Sequence, residues 1–455
     1  MTPHGGERGR EPCQGVSEVI MKEYKVGLLG CGIVGTGVVR LLQENSSILE
    51  EKLGAKLTLK RIAVRDVEKD RGLALAPGVL TGDFRQVLAD PDISIIIELI
   101  GGYSPAREYL LEAIGNGKHV ITANKALLAL HGQELYDAAA RNGVEIRYEA
   151  AVAGGIPVLS AIKGNMAANR FGSVLGILNG TCNYILTRMT EEGAGFAAVL
   201  KNAQELGYAE ADPTFDIEGT DTAHKLSILI SLCFGTWVSF GDIHVEGISS
   251  VSDLDIDFAG RLGYRIKLLA IGKRYEDRIE ARVHPAMVPA CDPLAGISGV
   301  YNAVRLTGNY VGTVMFYGRG AGMEPTASAV VGDLMAIARN MLVGAGRRTA
   351  PLGFLDENIG FVPIQPMGET VCKYYLRFSV LDRPGILAKI AGALGENGIS
   401  IKSAIQTAKS GGGFVPLVIV THEAKEIDVN KALDKIGAIG ITSENPALIR
   451  IEDDL

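Results

Sequence analysis

The sequence predicts an α/β chain in three parts. A doubly wound parallel sheet is expected over residues 22–150, a mixed α+β domain over 151–324 and a small module over 371–455. Three observations predict this. The glycine turn "GCGIVG" joins an apolar strand pattern to a helical one near the start of the chain. Strand and helix patterns then alternate up to about residue 150, as a parallel sheet with helical crossovers requires. The tail runs strand, helix, strand, strand, helix, strand, which is the ferredoxin-like βαββαβ order over about 80 residues.

The elements follow in chain order. The opening "MTPHGGERGREPCQGVSEVI" lacks the apolar core of a signal peptide, and a second methionine, Met21, directly precedes the first strand pattern. Residues 1–21 are therefore expected to be a disordered extension or an over-called start. A strand over 25–29 leads through the glycines into a helix, and "AKLTLKRIAVRD" is a second strand. "ISIIIELIGG" is continuously apolar, as a strand buried on both faces should be. A helix ("PAREYLLEAIGNG"), a strand ("KHVITANK"), a helix over 127–141 and a strand ("VEIRYEA") complete the first part. Beyond residue 151 the rhythm changes. "EARVHPAMVP" and "NYVGTVMFYG" look like strands of a more antiparallel sheet. "PTASAVVGDLMAIARNML" is a helix over 325–342 with Pro in its first turn, expected to pack back onto the first domain. Residues 343–370 carry three prolines and no periodicity, and read as a linker. In the tail, Leu376, Phe378 and Val380 alternate with Arg377 and Ser379. The helix after them puts Ile386, Leu387, Ile390, Ala391 and Leu394 on one face; "ISIKSAIQ", a "SGGG" turn, "FVPLVIVTH", a helix near 429–436 and "ALIRIE" follow.

Composition narrows the class. The 455 residues carry a net charge of −7 with no Lys/Arg-rich block, which argues against a nucleic-acid binder. The apolar runs are too short or too interrupted for a membrane span. Cys13, Cys31, Cys182, Cys233, Cys291 and Cys372 are scattered without a CxxC pair, so reduced thiols and a cytoplasmic setting are expected.

Three patterns carry chemistry. Gly30, Gly32 and Gly35 of "GCGIVG", with Ile33 and Val34 between them, stand where a strand hands over to a helix. That context turns a weak motif into a dinucleotide signal, with the pyrophosphate at the helix N-terminus. At the end of the second strand, Arg65 and then Lys69 favour the 2′-phosphate of NADP, while Asp66 keeps NAD open. Lys125, after the strand "VITAN", belongs near the cofactor crevice, or is a helix-start surface lysine. The third pattern is "YAEADPTFDIEGTDTAHK", in which five carboxylates precede Lys225. Thr220 or Asp221 is the expected N-cap of the following helix. Asp221 and Lys225 are spaced i,i+4 and share a face. The apolar run after Lys225 implies partial burial of its ammonium, which makes it tunable. A plain helix salt bridge is the ordinary alternative. "GRGAG" (318–322) either completes a nicotinamide pocket or is only a turn.

Together these stretches resemble homoserine dehydrogenase of the form with a C-terminal ACT domain. "GLLGCGIVGTGV", "ELIGG", "VITANKALLA", "EAAVAGGIPV", "LNGTCNYIL", "LGYAEADPTFDIEGTDTAHKL" and "GRGAGMEPTASAV" match in order, and "LDRPGILAKIAGALGENGISI" is similar to the ACT signature. The resemblance implies a Rossmann-type first domain, a substrate-binding and dimerisation domain, and an ACT regulatory domain. It implies NAD(P)H-dependent reduction of L-aspartate 4-semialdehyde to L-homoserine, with Lys225 as proton donor. Glu210, Asp221, Gly180 and Thr181 would bind substrate. Lys125 would sit near both ligands, and Gly207 and Gly322 would line the cofactor site. Of the other loop acids, Glu218 is expected to border the site before Asp212 or Asp216. Glu149, Val152, Gly154 and Ile156 would hold a monovalent cation, sodium, through backbone carbonyls. Asp382, Gly385, Ile386, Asn397 and Ile399 would form the regulatory site, with L-threonine as effector of a homodimer or tetramer. Two residues depart from the family habit: Cys182 where threonine is more usual, and Arg319 where proline is frequent. Two rival readings remain open: an aldehyde-oxidising dehydrogenase with Cys182 as nucleophile, and a non-catalytic amino-acid sensor.

Overall fold

The computed structural model describes residues 21–346, 348–406 and 413–453. Residues 1–20 of the extension expected over 1–21, and most of the "SGGG" turn, lie outside the described residues. The first sheet contains β1 (Lys22–Leu29), β2 (Ala55–Ala63), β3 (Leu80–Thr81), β4 (Ile93–Glu98), β5 (His119–Thr122) and β6 (Ile146–Arg147). All its pairs are parallel, in the order 3-2-1-4-5-6. The order reverses between β1 and β4, and ligands of such sheets bind at that switch point. Ile95, Ile96 and Ile97 are fully buried, as the unbroken apolar run requires. Helices α1 (Ile33–Glu44), α2 (Ser46–Leu53), α3 (Arg85–Leu88), α4 (Ala106–Gly115) and α5 (Lys125–Arg141) cover the faces. The last begins two residues before the sequence pattern suggests, because the Asn124 side chain caps it by accepting from Leu127 N.

The second sheet is assembled from β7 (Phe171–Ile177), β8 (His244–Val245), β9 (Tyr264–Arg274), β10 (Ile279–Pro289), β11 (Tyr301–Gly308) and β12 (Gly312–Arg319), then β13 (Val371–Leu381), β14 (Ile401–Gln406), β15 (Phe414–Thr421), β16 (Ala424–Lys425) and β17 (Ala447–Ile451). Its main order is 12-11-7-9-10-17-13-15-14. The run from β12 to β10 is antiparallel throughout. Helices α6 (Val158–Lys163), α7 (Gly180–Glu192), α8 (Phe196–Glu205), α9 (Thr214–Ile217), α10 (Thr220–Phe234) and α11 (Asp253–Arg261) belong to this part. Helix α12 (Met323–Leu342) returns to the first sheet and lies on α1. The approach is so close that a Cβ at Gly37 would meet Met323 Cγ at 2.7 Å.

The tail carries α13 (Ile386–Glu396) and α14 (Glu426–Ile439) and has the βαββαβ order. It is not a separate bead. Parallel pairing of β17 with β10 (Arg450 with Ala286, Ile451 with Met287) makes one continuous sheet. Leu376, Phe378 and Val380 form the module's own core, while Tyr375 and Arg377 on the other face both bond Asp255 of α11. Fully buried Arg450 holds Glu246 and Glu426 together. The stretch expected to be a linker is packed too: Gly360 bridges Thr236, and Ile364 bridges Ile279.

Candidate active site

The loops at the switch point form the first wall. Gly30 has φ +93°, and a Cβ there would lie 2.8 Å from Leu99 O. A Cβ at Gly35 would overlap the Gly30 carbonyl oxygen, whereas at Gly32 it would meet open space. One glycine therefore turns the chain, one lets helix approach strand, and one leaves the helix N-terminus bare. That is the division of labour a pyrophosphate cradle needs. Ile33 is exposed beside the bare position, and Val34 faces the cleft.

Arg65 and Lys69 stand exposed just past β2. Asp66, the residue that keeps NAD open, accepts from the amides of Glu68 and Lys69 through its Oδ1. Arg71, which no motif singles out, ties this loop to the glycine turn by donating to the carbonyls of Cys31, Lys69 and Asp66.

A cleft of about 380 Å³ opens beside these loops, lined by Val34, Glu98, Tyr103, Asn124, Lys125 and Phe215, among others. Its floor is ordered by Glu98. This fully buried carboxylate accepts from the amides of Ile100 and Gly101 and from the Thr122 hydroxyl. Burial pushes its pKa up, against those hydrogen bonds.

The acidic stretch supplies the second wall. Its helix α10 starts at Thr220, but Gly219, at φ +82°, is the cap residue, so neither Thr220 nor Asp221 caps it. The Asp221 carboxylate is therefore not taken up in capping the helix. Asp221 is 4 % exposed. Its Oδ2 accepts from Lys225 Nζ at 2.6 Å and from Asn179 Nδ2 at 2.9 Å, and its Oδ1 lies 3.1 Å from Lys125 Nζ. Burial alone would raise its pKa, but the two lysines override burial and hold it well below the usual range. Lys225 also donates to Leu178 O at 2.6 Å. An ammonium has three N–H donors, so two are committed and one is available. The expected pairing of Asp221 with Lys225 is thus present, buried rather than at the surface. Lys125 is part of the same cluster and lines the cleft.

Asn179 completes the cluster. It caps α7 by accepting from Cys182 N, and its amide bridges Asp221 and Asp216, the latter at 2.8 Å. Burial, then the Asp221 charge, push the Asp216 carboxyl up. Two bridged carboxyls are therefore driven in opposite directions. Asn179 joins Asp216 to the Asp221 cluster, a link that Glu218 does not share. Glu218 is held by the Ser249 hydroxyl, and Asp212 caps Thr214. Asn179 was readable as a helix cap in "LNGTC"; its bridging role was not.

The remaining predicted residues fall as follows. Gly180 begins α7 and lies against Val300 O; Thr181 donates to Tyr208 O, next to Gly207 at the end of α8. Glu210 is exposed, and its carboxylate makes no hydrogen bond among the described residues. Gly322, at φ +118°, starts α12 beside α1. Glu149 spends its side chain on the amides of Leu159 and Ser160, leaving only its carbonyl for a cation. In the same loop Ala153 and Gly154 have φ +56° and +47°, a left-handed pair that a non-glycine residue rarely enters. Asp382 and Gly385 precede α13, Ile386 opens it, and Asn397 and Ile399 follow it. The structure separates the two groups by an eleven-residue helix, about 16 Å. Cys182 is fully buried and donates to Asp216 O. Burial and the neighbouring carboxylates push its thiol far up, the opposite of what a nucleophile requires. Among the described residues no group of His, Cys, Asp and Glu suits a metal ion, and no helix is long and apolar enough to cross a membrane.

Comparison with known proteins agrees with this geometry. Residues 30–149 match the family model "Homoserine dehydrogenase, NAD binding domain", 157–335 match "Homoserine dehydrogenase" and 374–440 match "ACT domain". The homoserine dehydrogenase of Pseudomonas aeruginosa is 44% identical over 95% of this chain and 99% of its own, and that of Bacillus subtilis 40% over the same shares. The crystal structure of a homoserine dehydrogenase from Thiobacillus denitrificans superposes with a TM-score of 0.90 at 45% identity, covering 95% of this chain and 99% of that one. A hyperthermophilic archaeal homoserine dehydrogenase in complex with NADPH covers 69% of this chain and 97% of its own, with a TM-score of 0.60 at 25% identity. The chain belongs to the homoserine dehydrogenase family of NAD(P)-dependent oxidoreductases, in the form that ends in an ACT domain.

Proposed function

We propose that the chain reversibly reduces L-aspartate 4-semialdehyde to L-homoserine, with Lys225 as the proton donor. The observation that carries this is the cluster of buried Lys225, Asp221 and Asn179 with half-buried Lys125 beside the open cleft. When bound, a reduced nicotinamide would supply hydride to the aldehyde carbon. Lys225 gives a proton to the carbonyl oxygen, so that hydride plus proton make the alcohol, and the reverse reaction returns the proton to the amine. Asp221 holds both lysines in place. Glu210 and Asp221 pair with the α-ammonium of the substrate, and Gly180 and Thr181 present backbone beside it. Gly30, Gly32 and Gly35 hold the pyrophosphate, while Gly207 and Gly322 flank the nicotinamide. Arg65 and Lys69 take a 2′-phosphate, which makes NADP the preferred cofactor; what supports this is their exposure just past β2. In this reading 22–150 is the cofactor domain, 151–324 the substrate and dimerisation domain, and 371–455 the regulatory domain.

A monovalent cation fits the carbonyls of Glu149, Val152, Gly154 and Ile156. The left-handed pair at Ala153–Gly154 turns that loop sharply, and the Val152 and Gly154 carbonyls accept no hydrogen bond among the described residues. The ion would stabilise the loop between the two sheets; it takes no part in proton transfer.

L-Threonine would act through the tail, in a homodimer or tetramer whose second copy brings together the two ends of α13. The continuous sheet and the Arg450–Glu246 pair support transmission from that module. The test is a steady-state assay in both directions with NADP(H) and NAD(H), with and without threonine, on the full chain and on a chain ending near residue 366. Oxidation of L-homoserine by the full chain is expected, and its absence would overturn the reading. Undiminished inhibition of the truncated chain would sink the regulatory part.

A further inference from the structure

Beside the cluster lies one side chain with half of its hydrogen bonding unused. Asn302 on β11 is 1% exposed. Its Nδ2 donates to Leu178 O at 2.9 Å, the same carbonyl that receives Lys225 Nζ. That bond fixes the amide's orientation, because a flip would set two oxygens against each other. Its Oδ1 is buried and has no partner among the described residues. The oxygen is flanked by two glycines. A Cβ at Gly180 would come within 3.7 Å of it, and a Cβ at Gly320 would overlap the amide itself. Gly180 opens α7 next to Thr181, and Gly320 lies in "GRGAG" just ahead of Gly322, so both neighbours belong to walls already assigned to ligands. A buried carbonyl oxygen without a donor costs free energy, and such groups are rare in folded proteins. An oxygen left without a donor where these two walls meet can take one from a bound molecule.

We propose that Asn302 is a ligand-binding residue whose Oδ1 accepts a hydrogen bond from an N–H of the bound molecule, either the substrate ammonium or the nicotinamide carboxamide. The inference rests on the dehydrogenase reading. Leu178 O keeps Lys225 as a donor when Asn302 is cut back, so the lysine stays anchored in Asn302→Ala.

The test measures the NADPH Kd by fluorescence titration, the KM and kcat for L-homoserine, and the Tm with and without each ligand. It uses wild type, Asn302→Ala and Asn302→Ser, the last as a milder variant should the first fail to fold. A rise of about five- to tenfold in one of the two constants is expected, as for one lost hydrogen bond, together with a smaller Tm gain from that same ligand. A raised Kd identifies the carboxamide, and a raised KM identifies the ammonium. Both constants within twofold of wild type would overturn the proposal and assign the oxygen to a bound water. So would a fall in kcat alone, which would mark Asn302 as a residue that merely positions Lys225. Wild type without homoserine activity would instead defeat the underlying reading while leaving the NADPH arm readable.

Discussion

Replacing Lys225 by alanine separates catalysis from stability, because of how its neighbours are bonded. The substitution removes the donor at 2.6 Å from Asp221, but that carboxylate keeps Asn179 at 2.9 Å and Lys125 at 3.1 Å. It removes a second donor from Leu178 O, but that carbonyl keeps Asn302. No acceptor is orphaned. The cost is then one charge-assisted hydrogen bond of about 2 kcal/mol, partly offset because a buried ammonium no longer needs desolvating. For domains of this size that lowers the Tm by roughly 4–8 °C at most. The chemical loss is larger. Without its general acid the reaction should slow by about a hundredfold to ten-thousandfold. The assay is consumption of NADPH with aspartate 4-semialdehyde at saturating substrate, with the Tm of the same preparation. Activity within tenfold of wild type, in a protein that still melts cooperatively, would refute the assignment of the proton to Lys225.

Three further outcomes are expected. Arg65→Ala should raise the NADPH Kd by about tenfold or more and leave NADH nearly unchanged, since only the former carries a phosphate for the guanidinium; equal effects on both cofactors would refute the NADP reading. Asp221 is held below its ordinary pKa in the fold, so its contribution to stability is full above about pH 4 and is lost as pH falls further. The Tm gap between wild type and Asp221→Asn should therefore narrow below about pH 4, and a gap that is constant or widens in acid would contradict the pairing. Cys182→Ser should retain activity within about threefold, because the buried thiol only packs and donates to Asp216 O; a hundredfold loss would revive the thioester chemistry.

What the sequence made legible was local. The apolar run of β4, the glycines after β1 and the βαββαβ order are each written in consecutive residues, so periodicity and turn chemistry find them. Asp221 and Lys225 share a helix face and were legible for the same reason. Asn179 bridges two acids from 37 and 42 positions away, Asn302 reaches Leu178 from 124, and Arg71 reaches Cys31 from 40. Such bonds exist only once strands and helices have docked, and no spacing rule encodes them. The different surroundings of the loop acids were not legible either. Asp216 and Glu218 are two residues apart, and their roles differ because Asn179 lies on one side and Ser249 on the other.

The tail's placement follows the same logic of backbone against backbone. Arg450 of β17 holds Glu246, and the segment after Glu246 presses directly on the acidic loop. A Cβ at Gly247 would lie 2.5 Å from Glu218 Cα, Ile248 N donates to Ile217 O at 2.8 Å, and a Cβ at Gly219 would lie 3.1 Å from Val245. Gly219 is the residue from which α10 starts, two positions before Asp221. From the module's last strand to the start of α10, the contacts are thus a part-buried bidentate ion pair followed by glycine-tight packing. Packed backbone transmits displacement because it has little free volume to absorb it. A shift of β17 would be felt at Gly219 before it could be dissipated, which explains how a module built on the far end of the sheet can share one mechanical frame with Asp221 and Lys225.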